Sequence, residues 1–281
     1  MSETEISYCA RLLRQQDPER YLTALFAPAE RREALFALYA FNLELARARE
    51  SVREPIMGQM RLQWWRDSLP EIMAGQARAH EVARPLAAAV AAHGLDALLL
   101  ERLIDAREQD MKPDPPTDLP ALLDYAQDTS STLVELALEV LGRPDAATRE
   151  AGRALGVAWA LLGLLRAIPF HAAQRRLYLP ASLMEEARLG PAQLFERGSS
   201  PELREVVRRL AEEAKRWLKE ARRSQRSVAR QFQPAFLPAV LARGHLRRLA
   251  AAGYDPFDAR VQQPPPGRIW SLAWRRIIGG Y

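Results

Sequence analysis

The sequence predicts an all-α fold, a helical bundle. Three observations carry this expectation. Apolar residues recur at helical spacing along nearly the whole chain. No segment alternates convincingly enough to be a strand. Glycines and prolines punctuate the periodic segments and leave short connections, as a compact bundle requires. A chain of 281 residues is long for one domain, but a bundle of this size can share one core.

The predicted helices follow in order. Segments 3–16 and 30–51 come first, with Pro28 at the joint between them. Pro55 opens 56–75, and 81–93 ends at Gly94. Segment 95–112 stops at Pro113, Pro115 and Pro116, and 119–141 stops at Gly142 and Pro144. Segment 145–168 is closed by Pro169, because a proline inside a helix removes a hydrogen bond from its ladder. After Gly190-Pro191 come 201–230 and then 235–252, which Pro234 introduces. These helices make one domain over residues 1–262, and no repeat of fixed period appears. Residues 263–281 read as a tail.

Composition limits the function classes. Hydrophobic content of 48% with 27% charged residues is ordinary for a soluble globular protein. The positive charge is nearly all arginine, Lys112, Lys215 and Lys219 being the lysines. Arginine's planar fork suits phosphate and carboxylate. Cys9 stands alone, which excludes an internal disulfide and fits a reducing compartment. The acidic start, Met1 to Glu5, is unlike a targeting segment. The longest apolar run, Leu155 to Leu165, is too short to span a bilayer. A cytoplasmic location is expected, with peripheral contact at the inner face of the membrane. Glu101–Asp145 holds eleven acidic and four basic residues, whereas 201–248 holds five acidic and thirteen basic. The basic stretch reads as a solvated helix face. It has few interleaved aromatics, so no nucleic-acid partner is expected.

Two segments carry the chemistry. The first is Leu38-Tyr-Ala-Phe-Asn-Leu-Glu-Leu-Ala-Arg-Ala-Arg-Glu50, and the second runs from Gly156 through Leu165-Arg-Ala-Ile-Pro-Phe-His171 to Arg176-Leu-Tyr-Leu-Pro180. Together with Arg20-Tyr21, Ala27-Pro28, Arg31, Arg61-Leu-Gln-Trp-Trp-Arg66 and Tyr125-Ala-Gln-Asp-Thr-Ser-Ser131, they resemble the squalene/phytoene synthase family over about residues 6–250. The resemblance implies an isoprenoid-synthase-like bundle around a central cavity. It also implies a reaction that fuses two prenyl diphosphates with Mg²⁺ held by Asp-rich motifs.

The frame of those motifs is present and most ligands are not. The resemblance aligns Ala46 and Glu50 with the paired aspartates of the first motif, with Arg47 beside them. It aligns Gly163, Ala167 and His171 with the ligands of the second, and puts Phe170 where a glutamate is expected. Mg²⁺ needs hard oxygen ligands and bridges to substrate phosphates. A cation at Arg47 works against it. The vestigial metal positions are thus Ala46, Glu50, Gly163, Ala167 and His171, and neither a metal nor a catalytic residue is expected.

Further matches resemble an aspartate-less branch, the mitochondrial complex I assembly factor of this fold. They are Phe41-Asn-Leu-Glu-Leu-Ala, Glu50-Ser-Val, Met57-Gly-Gln-Met-Arg-Leu-Gln63 and Leu165-Arg-Ala-Ile-Pro-Phe-His171. This branch implies a non-catalytic protein with a protein partner in respiratory-complex assembly, no cofactor, and room for a prenyl lipid or quinone. The alternative is an active prenyl diphosphate transferase using Mg²⁺, with Arg47, Arg53, Arg166 and Arg176 gripping diphosphate and Tyr178 lining the pocket. That reading requires the four guanidinium groups to converge on one concave site.

Simpler readings attach to several residues. His171 is an ordinary polar residue, and Glu50 pairs with Arg47 or Arg53. Trp64, Trp65 and Trp159 are core, and the Asp124/Asp128 pair is surface or capping. In the tail, three prolines precede Ile269, Trp270, Ala273, Trp274 and Ile277, which form one apolar stripe flanked by Arg268, Arg275 and Arg276. The stripe suits an interfacial anchor, or a helix docked on the bundle.

Overall fold

The structure is a computed structural model that describes residues 6–50, 54–224 and 228–263, together with Gly267 and Leu272. Every regular element among these residues is helical. Ser7 caps α1 (Tyr8–Gln16), its side chain accepting from the Ala10 N–H. Asp17 closes α1 and opens α2 (Pro18–Ala24), accepting from the Arg20 N–H. One short polar residue thus sets the corner between two helices.

Helix α3 (Ala29–Ala46) is buried without a break from Ala34 to Asn42. A helix buried on all sides belongs to the centre of a bundle. It packs on α1, on α5 (Ala83–His93) and on α8 (Thr132–Leu141). The other central helix, α9 (Ala146–Ala173), packs on α8, on α12 (Pro201–Ser224) and on α14 (Pro238–Ala251). One core gathers around α3 and the other around the second half of α9, and Trp159 touches both. By length and apolar content α9 is able to cross a membrane, but it is packed here as a core helix.

The predicted segments are found, with several corrected boundaries. Helix α3 stops at Ala46 instead of residue 51, because Ala48 bonds back to Leu45 and the chain turns through Arg47–Glu50. Pro55 then holds Glu54 extended before α4 (Pro55–Met73). The segment 95–112 divides into α6 (Ala97–Ala106) and a 3₁₀ turn, Arg107–Met111. The segment 119–141 divides into α7 (Leu119–Ala126), one π turn (Gln127–Ser131) and α8. Pro169 does not end α9, which continues to Ala173. The proline forfeits one main-chain bond, and Leu165, Ile168 and Ala172, buried in the second core, hold the last turns in place. Short helices escape the periodicity, among them α2, α10 (Ala181–Glu186) and α11 (Pro191–Arg197). Beyond α13 (Gln233–Phe236) and α14, a last turn, α15 (Ala259–Gln262), reaches back to α14.

The basic helix α12 buries Leu203, Val206, Val207 and Leu210 on one side. Its Arg208 and Arg209 pair with Glu205, Glu212 and Glu186. The tail stripe, Ile269, Trp270, Ala273, Trp274 and Ile277, lies outside the described residues; Leu272, which is not part of it, is fully buried in the first core.

The π turn meets α9 at Gly156. A Cβ there would stand 2.4 Å from the Ser131 Cα, so only glycine permits the approach. At Gly163, about two turns further along α9, an added Cβ meets nothing within 4 Å. Gly156→Ala is therefore expected to destabilise by about 1–3 kcal/mol. Gly163→Ala is expected to stabilise by up to about 1 kcal/mol, as for any helical glycine with free space. Denaturant unfolding of the two variants checks the opposite signs.

Candidate functional site

The two motif helices face each other across a cavity of about 230 Å³. Asn42 and Ala46 line it from α3, and Gly163 and Ala167 from α9. Thr129 and Ser130 of the π turn close one wall. A wider, open cavity of about 510 Å³ shares Arg20, Trp159, Gly163 and Ala167 with it and is lined by Glu19, Arg166 and His245. Trp159 is therefore a cavity wall as well as a core residue. Trp65 is buried as expected, whereas Trp64 is half-buried and lines another pocket.

The cavity floor is a buried polar network centred on Asp110. Its Oδ1 accepts from the Tyr125 hydroxyl at 2.8 Å and the Tyr178 hydroxyl at 2.9 Å, and its Oδ2 lies 3.3 Å from Arg107 Nη1. Arg107 also donates to the Tyr125 oxygen at 3.0 Å. Arg176 donates to the Asp110 carbonyl at 2.6 Å and to the Tyr178 oxygen at 2.7 Å. Burial raises the Tyr125 and Tyr178 hydroxyls far above the usual phenol range. Both phenols stay protonated and serve as donors to the carboxylate. The 3₁₀ turn 107–111 places Arg107 and Asp110 on the floor together. Sequence periodicity read this stretch as continuous helix up to Pro113 and so missed Asp110, because the helix gives way to the 3₁₀ turn after Ala106.

A second network lies in the wider cavity. Glu19 accepts from Arg166 at 2.9 Å, and His245 Nε2 lies 2.7 Å from Glu19 Oε1. Arg248 lies 3.0 Å from His245 Nδ1. Arg166 Nη1 also lies 3.0 Å from His245 Nε2, so arginine flanks both ring nitrogens. The ionised Glu19 carboxylate can only accept, which puts the ring proton on Nε2 toward Glu19 and leaves Nδ1 to accept from Arg248. Burial, together with Arg166 and Arg248, outweighs Glu19 and holds His245 below its usual value, which agrees with a neutral ring. Burial opposes the Glu19 charge, but the His245 hydrogen bond and Arg166 outweigh it and take the carboxyl down to about 2.

The residues present do not fit a Mg²⁺–diphosphate centre. Ala46 and Ala167 end in methyl groups and Gly163 has no side chain. Glu50 sits in the turn after α3, not on the helix face, and is exposed at the cavity mouth. Loss of water raises its carboxyl even so, against the pull of Arg176, Arg107 and Arg47. His171 is buried and packs against Tyr178 with the rings tilted by 42° at a centroid distance of 4.5 Å; burial and the Arg176 cation push it down to about 4. Asp110 lines the cavity, but its oxygens are taken by Tyr125, Tyr178 and Arg107. Among the described residues no group of three His, Cys, Asp or Glu side chains stands ready to hold a metal.

Nor do the arginines converge. Arg166 is held by Glu19 and Arg176 by the Asp110 carbonyl. Arg47 lines a pocket on another side of α3, and Arg53 lies outside the described residues. Asp128 accepts from Arg102 at the surface, well away from any metal role.

Residues 13–269 match the family model for squalene/phytoene synthase. The chain is 34% identical over 272 residues to "NADH dehydrogenase (ubiquinone) complex I, assembly factor 6" of Bos taurus, covering 96% of this chain and 82% of that protein. The Homo sapiens protein of the same name is 33% identical over the same coverage. Among solved structures, a dehydrosqualene synthase in complex with ligand superposes with a TM-score of 0.84 at 18% identity, covering 96% of this chain and 95% of that one. This last likeness speaks for the fold, the isoprenoid-synthase bundle. On the match along nearly its whole length, the chain belongs to the squalene/phytoene synthase family.

Proposed function

We propose that this protein is a non-catalytic member of the family that acts as a complex I assembly-type factor. The observation that carries the reading is the pairing of an intact cavity with small side chains at the metal positions, Ala46, Gly163 and Ala167. Prenyl diphosphate chemistry relies on metal to neutralise the leaving pyrophosphate, a contribution of several kcal/mol. Relatives named for complex I assembly support the direction of the proposal. The protein would work in the cytoplasm, at the inner face of the membrane where such a complex is built, through a protein partner and without a cofactor. The test is affinity capture of the tagged chain from its native host, alongside deletion of its gene. Enrichment of complex I subunits and loss of the assembled complex on native gels are expected. An unchanged complex in the deletion strain would contradict the proposal.

A second role is compatible with the first and has its own observation. The Ser130 hydroxyl is buried at the cavity wall with no hydrogen-bond partner among the described residues. It is the group the wall offers to a carbonyl or hydroxyl of a prenyl lipid or quinone. Native mass spectrometry of the purified chain would detect such a passenger.

A further inference from the structure

Helix α3 has a second working face. While Asn42 and Ala46 look into the central cavity, Glu44 and Arg47 line a separate concavity of about 460 Å³ between α1, α3 and α4. Tyr8, Arg61, Trp64 and His80 complete it. Its aromatic wall is anchored in the core. Phe41 packs edge-on to Trp65 at 4.9 Å, Trp65 to Trp64 at 4.9 Å, and Trp64 against His80 at 4.8 Å.

The rim of this concavity is apolar where it meets water. Nine large apolar side chains are exposed among the described residues, and five of them, Ile6, Tyr8, Ile56, Met57 and Met60, sit at the starts of α1 and α4. Met60 is 65% exposed, Ile56 59% and Met57 53%. Met57, Met60, Arg61 and Trp64 fall at i, i+3, i+4 and i+7, one face of α4 that runs from solvent into the concavity. Exposed apolar side chains grouped on one helix face in this way mark an interaction surface, and unbranched methionine adapts to a fluid one.

Charge identifies the partner. Among the described residues from Arg47 to Arg61, three arginines, Arg47, Arg49 and Arg61, stand against two glutamates, Glu50 and Glu54, and Glu50 lines the central cavity instead. Glu44 also faces the concavity, 3.8 Å from His80 Nε2, but burial takes its carboxyl up to about 7, so near neutrality it opposes an anion only in part. An apolar stripe with Trp and Tyr at its polar edge and arginine beside it is the pattern of an interfacial surface.

We propose that this face docks on an anionic phospholipid bilayer, with Ile56, Met57 and Met60 entering the headgroup–acyl boundary and the concavity receiving a lipid phosphate beside Arg47 and Arg61. The proposal rests on the membrane location within the proposed function, and it names the face that makes the contact. The experiment is co-sedimentation of the full chain with vesicles of phosphatidylcholine alone, or of phosphatidylcholine and phosphatidylglycerol in equal parts. The chain is expected to bind the mixed vesicles and to release them as salt is raised. Met57→Ser/Met60→Ser should weaken binding at least about tenfold. Arg61→Gln should weaken it about fivefold. Leu98→Ser, at a side chain 71% exposed that lines a different concavity, should change nothing. Thermal melts show whether the variants fold as the parent does. Binding that survives the α4 substitutions would overturn this face while leaving a membrane location standing. Failure of the unaltered chain to sediment with either vesicle would overturn both, and loss of a co-purifying protein in the same variants would then point to a protein partner here.

Discussion

Replacing Asp110 with alanine is expected to cost about 3–5 kcal/mol of stability, the loss typical of breaking a buried ion pair from one side. Asp110 is 3% exposed and is the acceptor that satisfies Tyr125, Tyr178 and Arg107. Without it Arg107 is left charged and buried, and its Nε already has no partner. Such a loss is a large fraction of the roughly 5–15 kcal/mol that holds a domain together. Asp110→Ala/Arg107→Leu should recover part of it, because the orphaned charge is then gone. Urea titrations of the single and double variants check this. A single variant within about 1 kcal/mol of the parent would show that the network is not the structural floor of the cavity.

The second large effect is an acid instability that passes through Glu19. Its folded value, about 2, lies below the ordinary 4.5, so the charged form is the one folding prefers. Its contribution is therefore complete above pH 4.5 and is lost as pH falls toward 2. The shift corresponds to about 3 kcal/mol. His171, held at about 4, and His245, also held low, act with the same sign one step earlier. Both are neutral in the fold, and their contribution begins to fall once pH drops below 6.5. Glu44, raised to about 7, has the opposite sign between pH 4.5 and 7 and offsets part of the histidine limb. In Glu19→Gln, unfolding free energy measured against pH should flatten below pH 4.5. Parallel curves for parent and variant would remove Glu19 from the account.

The fold was legible in the sequence because its long helices bury continuous faces. Segment 81–93 and the start of 145–168 are recovered with small shifts, since apolar spacing decides them, whereas the end of 145–168, set at Pro169, fell five residues short of Ala173. The errors cluster where the backbone leaves the α-helix. The 3₁₀ turn at Arg107–Met111 and the π turn at Gln127–Ser131 are five-residue, mostly polar interruptions inside longer segments of helical spacing, and they change where side chains point. These two turns build the cavity floor and wall, so Asp110 and Ser130 escaped notice. Glu50 was misplaced for a related reason: aligned spacing put it on the face of α3, and the helix ends at Ala46. The Glu19–His245 pair joins residues 226 positions apart, which no local pattern can reveal.

The family's frame persists here, and we propose that its metal chemistry does not. The most direct test is to incubate the purified chain with farnesyl diphosphate, NADPH and Mg²⁺, and to analyse the organic extract by mass spectrometry. The account predicts that the farnesyl diphosphate is recovered unchanged at every Mg²⁺ concentration. Mg²⁺-dependent formation of presqualene diphosphate, squalene or dehydrosqualene would contradict it.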